Sequence, residues 1–212
     1  MTPRYIYLHG FASSPSSRKA QFFRERFEER GIELRIPVLD EGDFTNLTVG
    51  GQLSVIAREA AGAPLVVLLG SSLGGYLSAL YAARHSEVKK LVLLAPAFSF
   101  PGRWQEALGE AKIREWRERG SMEMLHYGTG SMRPISYRLI EESAGYEDYP
   151  NAKQPALILH GTEDDVVPAA FSQEFVRRNP DSAKLVLLAS GHELTDVLDK
   201  LWNETARFLE LP

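Results

Sequence analysis

The chain has 212 residues, of which 44% are hydrophobic and 25% charged, and its formal net charge is −4 at pH 7. This composition is typical of a soluble globular domain with a sizeable core, and it lacks the concentrated basic patch of a nucleic-acid-binding protein. The sequence has no cysteine, which excludes disulfides, thiolate metal ligands and a cysteine nucleophile.

The N-terminal sequence MTPRYIYLHGF leads directly into a strand-like run. It lacks the charged region, the long apolar core and the cleavage site of a signal peptide. Apolar runs elsewhere fall well short of the roughly 20 residues that span a bilayer. We therefore expect a cytoplasmic protein that does not insert into membranes.

Short apolar runs alternate with helical patterns along the chain. After the first run, Ala20, Phe23 and Phe27 share one helix face, and Gly31 is a helix stop signal. The predicted strands are Arg4–His9, Glu33–Leu39, Pro64–Gly70, Lys90–Pro96, Pro155–His160 and Ala183–Ala189. Further helices are predicted over Thr48–Ala61, from near Ser72, from near Pro168 and over Thr195–Leu209.

The predicted strands are uniformly apolar and do not alternate between apolar and polar residues. Such strands are buried on both faces, which is typical of a parallel sheet covered by helices. Because strands alternate with helices and crossovers are right-handed, we predict a doubly wound, three-layer α/β fold with six strands.

The interval between Pro96 and Pro155 contains no predicted strand and has a helical pattern with glycine-rich breaks. It is much longer than the dozen or so residues, about one helix, that a plain crossover needs. We therefore predict one domain over residues 1–212 that carries a helical cap, or lid, inserted at about 99–150. Ordinary packing of these helices on the sheet has the same pattern and stays an alternative.

The sequence Gly70-Ser71-Ser72-Leu73-Gly74 matches the nucleophile pattern G-x-S-x-G with Ser72 at its centre. A pattern centred on Ser71 would need glycines at positions 69 and 73, where leucines stand. The glycines permit a tight strand-to-helix turn, and the helix N-terminus stabilises developing negative charge. Ser72 is therefore the candidate nucleophile and Ser71 a structural neighbour.

Three further signals stand at the ends of predicted strands: LHGF after the first, LHGTEDDVVP after the fifth and SGHE after the sixth. The carboxyl ends of parallel strands meet at one sheet edge, where ligands bind. LHGTEDDVVP supplies an acid and SGHE a histidine, so that with Ser72 the chain order is serine, aspartate, histidine. Among the histidines, His192 alone follows the acid at the end of the last strand.

Together, the segments HGF, GSSLGG, HGTEDDVVP and GH resemble those of the α/β-hydrolase superfamily, and the opening YLHGFASSPSSRKA is similar to small bacterial YqiA-type esterases. The resemblance implies a three-layer α/β-hydrolase fold. Because the HG loop comes as early as His9, no room is left for the two leading strands of the usual sheet. We expect a reduced, six-stranded parallel sheet with the order 2-1-3-4-5-6.

The resemblance also implies roles for five residues. Ser72 matches the nucleophile, His192 the general base, and Asp164 the acid that orients the histidine. The backbone N–H groups of Phe11 and Leu73 match the oxyanion hole.

Asp165 is an alternative to Asp164 as the acid. The spacing to Val167-Pro168 in the pattern H-G-x-x-D-x-x-V-P favours Asp164, and Asp165 is then a cap of the following helix. His9 and His160 are predicted to be structural or to line the pocket. The histidine and carboxylate spacing matches no zinc motif, so we expect no metal and no other cofactor.

These residues predict a carboxylesterase that hydrolyses small-molecule esters of small to medium acyl chains through an acyl-enzyme intermediate. A thioesterase, an aminopeptidase-type enzyme or a carbon–carbon hydrolase would use the same triad, and a non-catalytic binding protein would keep the fold alone. The sequence does not indicate the oligomeric state. Side chains predicted to form an apolar substrate wall are Phe98, Phe100, Trp104, Trp116, Met122 and Tyr127.

Overall fold

A central sheet between helices makes up the fold, in a computed structural model that describes residues 3–212 except for the side chain of Gln105. In chain order the elements are β1 (Arg4–Leu8), α1 (Arg18–Glu28), β2 (Leu34–Arg35), α2 (Val49–Ala60), β3 (Val66–Ser71), α3 (Leu73–Ala82), β4 (Val88–Leu94), α4 (Phe100–Arg119), β5 (Ser121–His126), β6 (Ser131–Ser136), α5 (Arg138–Ser143), β7 (Ala156–Gly161), α6 (Ala170–Arg178), β8 (Ala183–Leu188) and α7 (Leu198–Leu209).

The main sheet has six strands in the order β2-β1-β3-β4-β7-β8, and all neighbouring strands are parallel. Counted within the sheet alone, this order is 2-1-3-4-5-6, so the predicted fold class is confirmed. The chain reverses its direction of winding between β1 and β3. At such a switch point the loops after the two strands diverge and leave a cleft beyond their carboxyl ends.

Alternate residues of the strands face two separate hydrophobic clusters. Ile6 and Leu68 face the cluster that includes α2, α3 and Phe175 of α6. Tyr7 and Leu69 face the other cluster, with α1 and α7. Burial on both faces explains why the central strands lack a polar alternation. The edge strand β8 differs, because several of its residues are partly or fully exposed.

Strand β2 is much shorter than predicted and covers only Leu34–Arg35 of the expected Glu33–Leu39. Pro37 explains the difference, because proline has no N–H to donate to a strand ladder. Beyond β2 the chain turns towards the end of β1, where the backbone N–H of Leu39 donates to His9 Nε2 at 3.4 Å. A short 3-10 turn, Phe44–Asn46, precedes α2.

The segment between β4 and β7, called the insertion below, contains strands that the sequence pattern did not predict. Strands β5 and β6 form a separate antiparallel hairpin between α4 and α5. The expectation of a purely helical insertion is therefore wrong. Only His126 and Ile135 in the two strands are buried, so the hairpin has no continuous apolar run, and Pro134 in β6 is typical of a strand breaker. A two-stranded sheet has only edge strands, which tolerate proline.

Helix α4, which opens the insertion, is interrupted at Gly109, whose φ is +75° and ψ 158°. No helix in the described part of the chain is both long and apolar enough to cross a membrane.

Candidate active site

Ser72 lies in the sharp turn between β3 and α3. Its backbone has φ +54° and ψ −118°, a conformation that is strained for a residue with a side chain. Two backbone hydrogen bonds hold this turn against the end of β4 and the segment after it. The Ser72 N–H donates to the Leu94 carbonyl at 2.8 Å, and the Ser72 carbonyl accepts from the Ala97 N–H at 3.0 Å. The neighbouring Ser71 is 4% exposed and buried, whereas Ser72 is partly exposed.

The glycines on either side of this turn have no space for a side chain. A Cβ on Gly70 would collide with the Gly74 carbonyl, and a Cβ on Gly74 would collide with the Leu8 carbonyl and lie 2.6 Å from the His9 carbonyl oxygen. The start of α3 is thus pressed against the end of β1. This close approach places Ser72 beside the loop that follows β1.

His192 and Asp164 complete a hydrogen-bonded chain with Ser72. The distance from His192 Nε2 to Ser72 Oγ is 3.1 Å, and that from His192 Nδ1 to Asp164 Oδ2 is 2.8 Å. The three residues follow β3, β7 and β8, so they meet at the carboxyl edge of the sheet. With an ionised Asp164, Nδ1–H donates to the carboxylate and Nε2 accepts from the serine hydroxyl.

Asp164 has a fully buried carboxylate with donors on both oxygens. Its Oδ1 accepts from the backbone N–H groups of Val166 at 3.0 Å and Val167 at 2.7 Å. Its Oδ2 lies 2.8 Å from His192 and 3.1 Å from His160 Nε2. Burial raises the pKa of Asp164, but hydrogen bonds from His160, His192 and Val167 outweigh it and hold the pKa well below its usual range.

His160 is a second histidine on the same carboxylate. Its ring is fully buried, with Nδ1 2.7 Å from Ser172 Oγ and Nε2 2.7 Å from the Val167 carbonyl. Because Nε2 faces two acceptors, the Val167 carbonyl and Asp164, it carries the proton, and Nδ1 accepts from the Ser172 hydroxyl. The sequence pattern predicted only a structural or pocket-lining role for His160. Its spacing of four residues from Asp164 was the available signal.

The backbone N–H groups of Phe11 and Leu73 have no hydrogen-bond acceptor among the described residues, which leave out the side chain of Gln105. Leu73 is the first residue of α3, and the loop of Phe11 lies beside Ser72: a Cβ on Gly10 would be 3.4 Å from Ser72 Cβ. Two free donors beside a serine hydroxyl are the groups that an oxyanion hole requires.

Two of the six residues predicted as a substrate wall have their rings buried in the core. Phe98 is fully buried with its ring 4.3 Å from that of Phe175, and the buried Trp116 donates its indole N–H to the Ile135 carbonyl at 2.9 Å. The predictions for Phe98 and Trp116 are therefore wrong. Tyr127, on the hairpin turn, is 73% exposed, and it stays a prediction, because the N–H of the next residue, Gly128, donates to the Ala12 carbonyl beside Phe11. An aromatic-rich segment without regular periodicity does not indicate which rings form the core.

The other three predicted wall residues remain candidates. The ring of Trp104 lies 5.5 Å from that of Phe11, next to the proposed oxyanion loop. Phe100 stacks on Tyr76 at 6.3 Å and is nearly buried, while Met122 is partly buried against the core. Trp104 is thus the predicted residue with a direct contact to a site loop.

The loop that carries His192 is held by polar contacts that the sequence analysis did not predict. The Ser190 hydroxyl donates to the Asp196 carboxylate within the loop. Lys19 of α1 is buried, with its Nζ 3.9 Å from Glu193 Oε2, and burial lowers its pKa.

The chain belongs to the family described as "Uncharacterised protein family (UPF0227)", whose model matches residues 4–209. No relative was found among the curated proteins.

Solved structures of α/β hydrolases are similar along almost the whole chain. Mouse alpha/beta hydrolase domain-containing protein 10 has a TM-score of 0.76 and 23% identity, with 97% of this chain and 91% of that chain covered. Est1E from Butyrivibrio proteoclasticus with bound ferulic acid has a TM-score of 0.78 and 20% identity, with 99% and 90% covered. A pyrethroid hydrolase from Sphingobium faniae JZ-2 has a TM-score of 0.68 and 19% identity, with 100% and 99% covered. The resemblance to the α/β-hydrolase superfamily is confirmed at the level of the fold.

Gly74→Ala is expected to destabilise the protein, because the added Cβ meets the carbonyls of Leu8 and His9. Overpacking of this kind costs about 1–3 kcal/mol of unfolding free energy. Gly102→Ala is the matched control, since its Cβ would lie 3.5 Å from Ser99 Oγ in ordinary contact. Urea unfolding measures both variants. A Gly74→Ala protein as stable as Gly102→Ala would contradict the close approach described here.

Asp164→Asn is expected to change the pH dependence of stability. The pKa of Asp164 is lower in the folded protein than in the unfolded chain, so the carboxylate stabilises the fold at neutral pH. This contribution is lost as the pH falls below about 4, the ordinary aspartate pKa, towards the lower folded value. The difference in unfolding free energy between wild type and Asp164→Asn should therefore shrink with acidification.

Urea unfolding from pH 7 downwards measures this difference. Asp165→Asn is the matched control, because Asp165 is the exposed neighbour with the same charge. Curves for wild type and Asp164→Asn that stay parallel at all pH values would show that Asp164 does not carry a depressed pKa.

Proposed function

We propose that the protein is a serine hydrolase that cleaves carboxylic esters of small to medium acyl chains through an acyl-enzyme intermediate. The observation that carries this proposal is the hydrogen-bonded chain Ser72–His192–Asp164, with distances of 3.1 and 2.8 Å. It stands on a strained turn at the sheet edge where α/β proteins bind ligands.

In the first step, Ser72 Oγ attacks the ester carbonyl carbon while His192 Nε2 takes the hydroxyl proton. The imidazolium that forms is stabilised by the ionised Asp164, which already binds Nδ1–H. The tetrahedral intermediate then collapses: the bond to the leaving alcohol breaks, and His192 returns the proton to the alcohol oxygen. The product of this step is an acyl ester of Ser72.

In the second step, water replaces the alcohol. His192 removes a proton from the water as it attacks the acyl carbon, and the carboxylic acid leaves when Ser72 Oγ regains its proton. Both steps pass through an oxyanion. The free N–H groups of Phe11 and Leu73, together with the N-terminus of α3, are the groups we assign to its stabilisation.

Two further observations support an ester of modest size. The related Est1E structure holds ferulic acid, a small carboxylic acid of the kind that ester hydrolysis releases. Trp104 beside Phe11 supplies an apolar surface next to the oxyanion loop. The proposed chemistry uses side chains and backbone alone, without a cofactor.

Ser72→Ala is expected to abolish both hydrolysis of 4-nitrophenyl butyrate and covalent labelling by a fluorophosphonate probe. Removal of a triad nucleophile lowers kcat by about 10⁴-fold or more. Ser71→Ala is the matched control, because it deletes the same hydroxyl from the adjacent, buried serine. Labelling is read by intact-protein mass spectrometry, and circular dichroism checks the fold of each variant.

The control should retain labelling at Ser72. Equal labelling of wild type and Ser72→Ala would assign the nucleophile elsewhere. A folded wild type that neither reacts with the probe nor hydrolyses esters, thioesters or aminoacyl amides would indicate a non-catalytic binding protein.

A further inference from the structure

Arg103 lies in the first turn of α4, where the insertion leaves the sheet beside the candidate active site. The preceding segment touches the nucleophile directly, since the Ala97 N–H donates to the Ser72 carbonyl at 3.0 Å. The residue after Arg103 is Trp104, whose ring contacts that of Phe11. The backbone around Arg103 therefore lies close to the Ser72 turn and the Phe11 loop.

The side chain of Arg103 reaches across to the element that follows the catalytic acid. Its guanidinium carbon lies 5.5 Å from the centroid of the Phe171 ring, at the start of α6. Burial lowers the pKa of Arg103, and the charges of Asp164 and Glu106 act in the opposite direction. The guanidinium is thus partly desolvated and within electrostatic range of the site.

Arg103 has no anionic partner in the part of the chain that the structure describes. No carboxylate oxygen lies within 4.0 Å of the guanidinium, and it donates no hydrogen bond to the described residues. Asp164 is not available, because its carboxylate is fully buried and its oxygens already bind four donors. Glu106 is exposed to solvent.

Three other arginines that lie over aromatic rings are paired with carboxylates: Arg26, Arg84 and Arg178 bind one at 3.1, 2.6 and 2.6 Å. Arg117 and Arg133 lie over rings without a described carboxylate partner, so Arg103 is distinguished by its position beside the site as well as by the missing carboxylate. At Arg103 the ring is present and the carboxylate is not. The Phe171 ring contacts the guanidinium, and the guanidinium N–H groups are available to an acceptor from outside the chain.

We propose that Arg103 binds a negatively charged group of the substrate, a carboxylate above all, so that the enzyme prefers acidic esters to neutral ones. This inference rests on the proposed esterase function and specifies its substrate class. A carboxylate would form the paired N–H···O bonds that match the guanidinium fork.

Matched pairs of esters test this preference. The first pair, 4-nitrophenyl hydrogen adipate and 4-nitrophenyl hexanoate, differs by a terminal carboxylate on the acyl chain. The second pair, 4-carboxyphenyl and 4-carbamoylphenyl hexanoate, differs by a carboxylate on the leaving group. Wild type should favour the acidic member of at least one pair in kcat/KM.

Arg103→Gln should lower kcat/KM for the preferred acidic ester by about 10- to 100-fold, as expected for a lost hydrogen bond to a charged group. The neutral partner should change by less than about twofold, and Arg103→Lys should keep part of the preference because it keeps the charge. Arg114→Gln, at an exposed arginine of the same segment, is the control for the loss of one positive charge. Thermal unfolding checks that each variant folds.

Several results would overturn the inference while leaving the esterase function intact. One is wild-type hydrolysis without preference for either acidic ester. Another is an equal fall for acidic and neutral esters in Arg103→Gln, which would indicate a packing role over Phe171.

If wild type hydrolyses no ester and Ser72 is not labelled, the proposed function fails. Whether Arg103 forms an anion site is then decided by a binding measurement alone. Calorimetric titration with adipate, and with hexanamide as the uncharged comparison, then measures the site directly. Saturable adipate binding that is lost in Arg103→Gln supports the anion site, and the absence of such binding overturns it.

Discussion

The close approach of α3 to the end of β1 is the constraint on which the site depends. Carbonyl groups fill the space that a Cβ at Gly70 or Gly74 would need, so the helix begins as near to the sheet as a backbone allows. The strained conformation of Ser72 is the consequence, held by bonds to the ends of β4. This packing contact therefore determines the exposure of the Ser72 hydroxyl, the position of the N-terminus of α3 and its closeness to the Phe11 loop.

The ionised Asp164 imposes a second requirement, because a buried carboxylate is costly unless it is hydrogen-bonded. The turn after β7 meets this cost with two backbone N–H groups and with His160, which Ser172 orients in turn. The charge is thus stabilised before His192 contributes. A carboxylate that is ionised without the help of His192 can fix the tautomer of His192, rather than depend on it.

The sequence predicted those parts of the fold and site that follow from local pattern. Apolar runs and strand-end motifs locate the parallel sheet and bring Ser72, Asp164 and His192 to one edge, because strand direction fixes where each strand ends. Side-chain placement in the insertion was not predictable in this way. The exposed β5–β6 hairpin has no apolar run, and whether Phe98 or Trp104 faces the core depends on neighbours distant in sequence.

The insertion and the sheet contribute different properties to the site. The groups proposed to react stand on loops after sheet strands, where packing against both hydrophobic clusters limits their freedom. Arg103 and Trp104 come from α4, which is interrupted at Gly109 and contacts Phe11 and Phe171. We therefore expect changes in α4 to alter which substrate the proposed enzyme binds without disturbing Ser72. Arg103 stands where α4 meets the loops of the site and near the charge of Asp164, so we assign its guanidinium to selection of the substrate rather than to stabilisation of the fold.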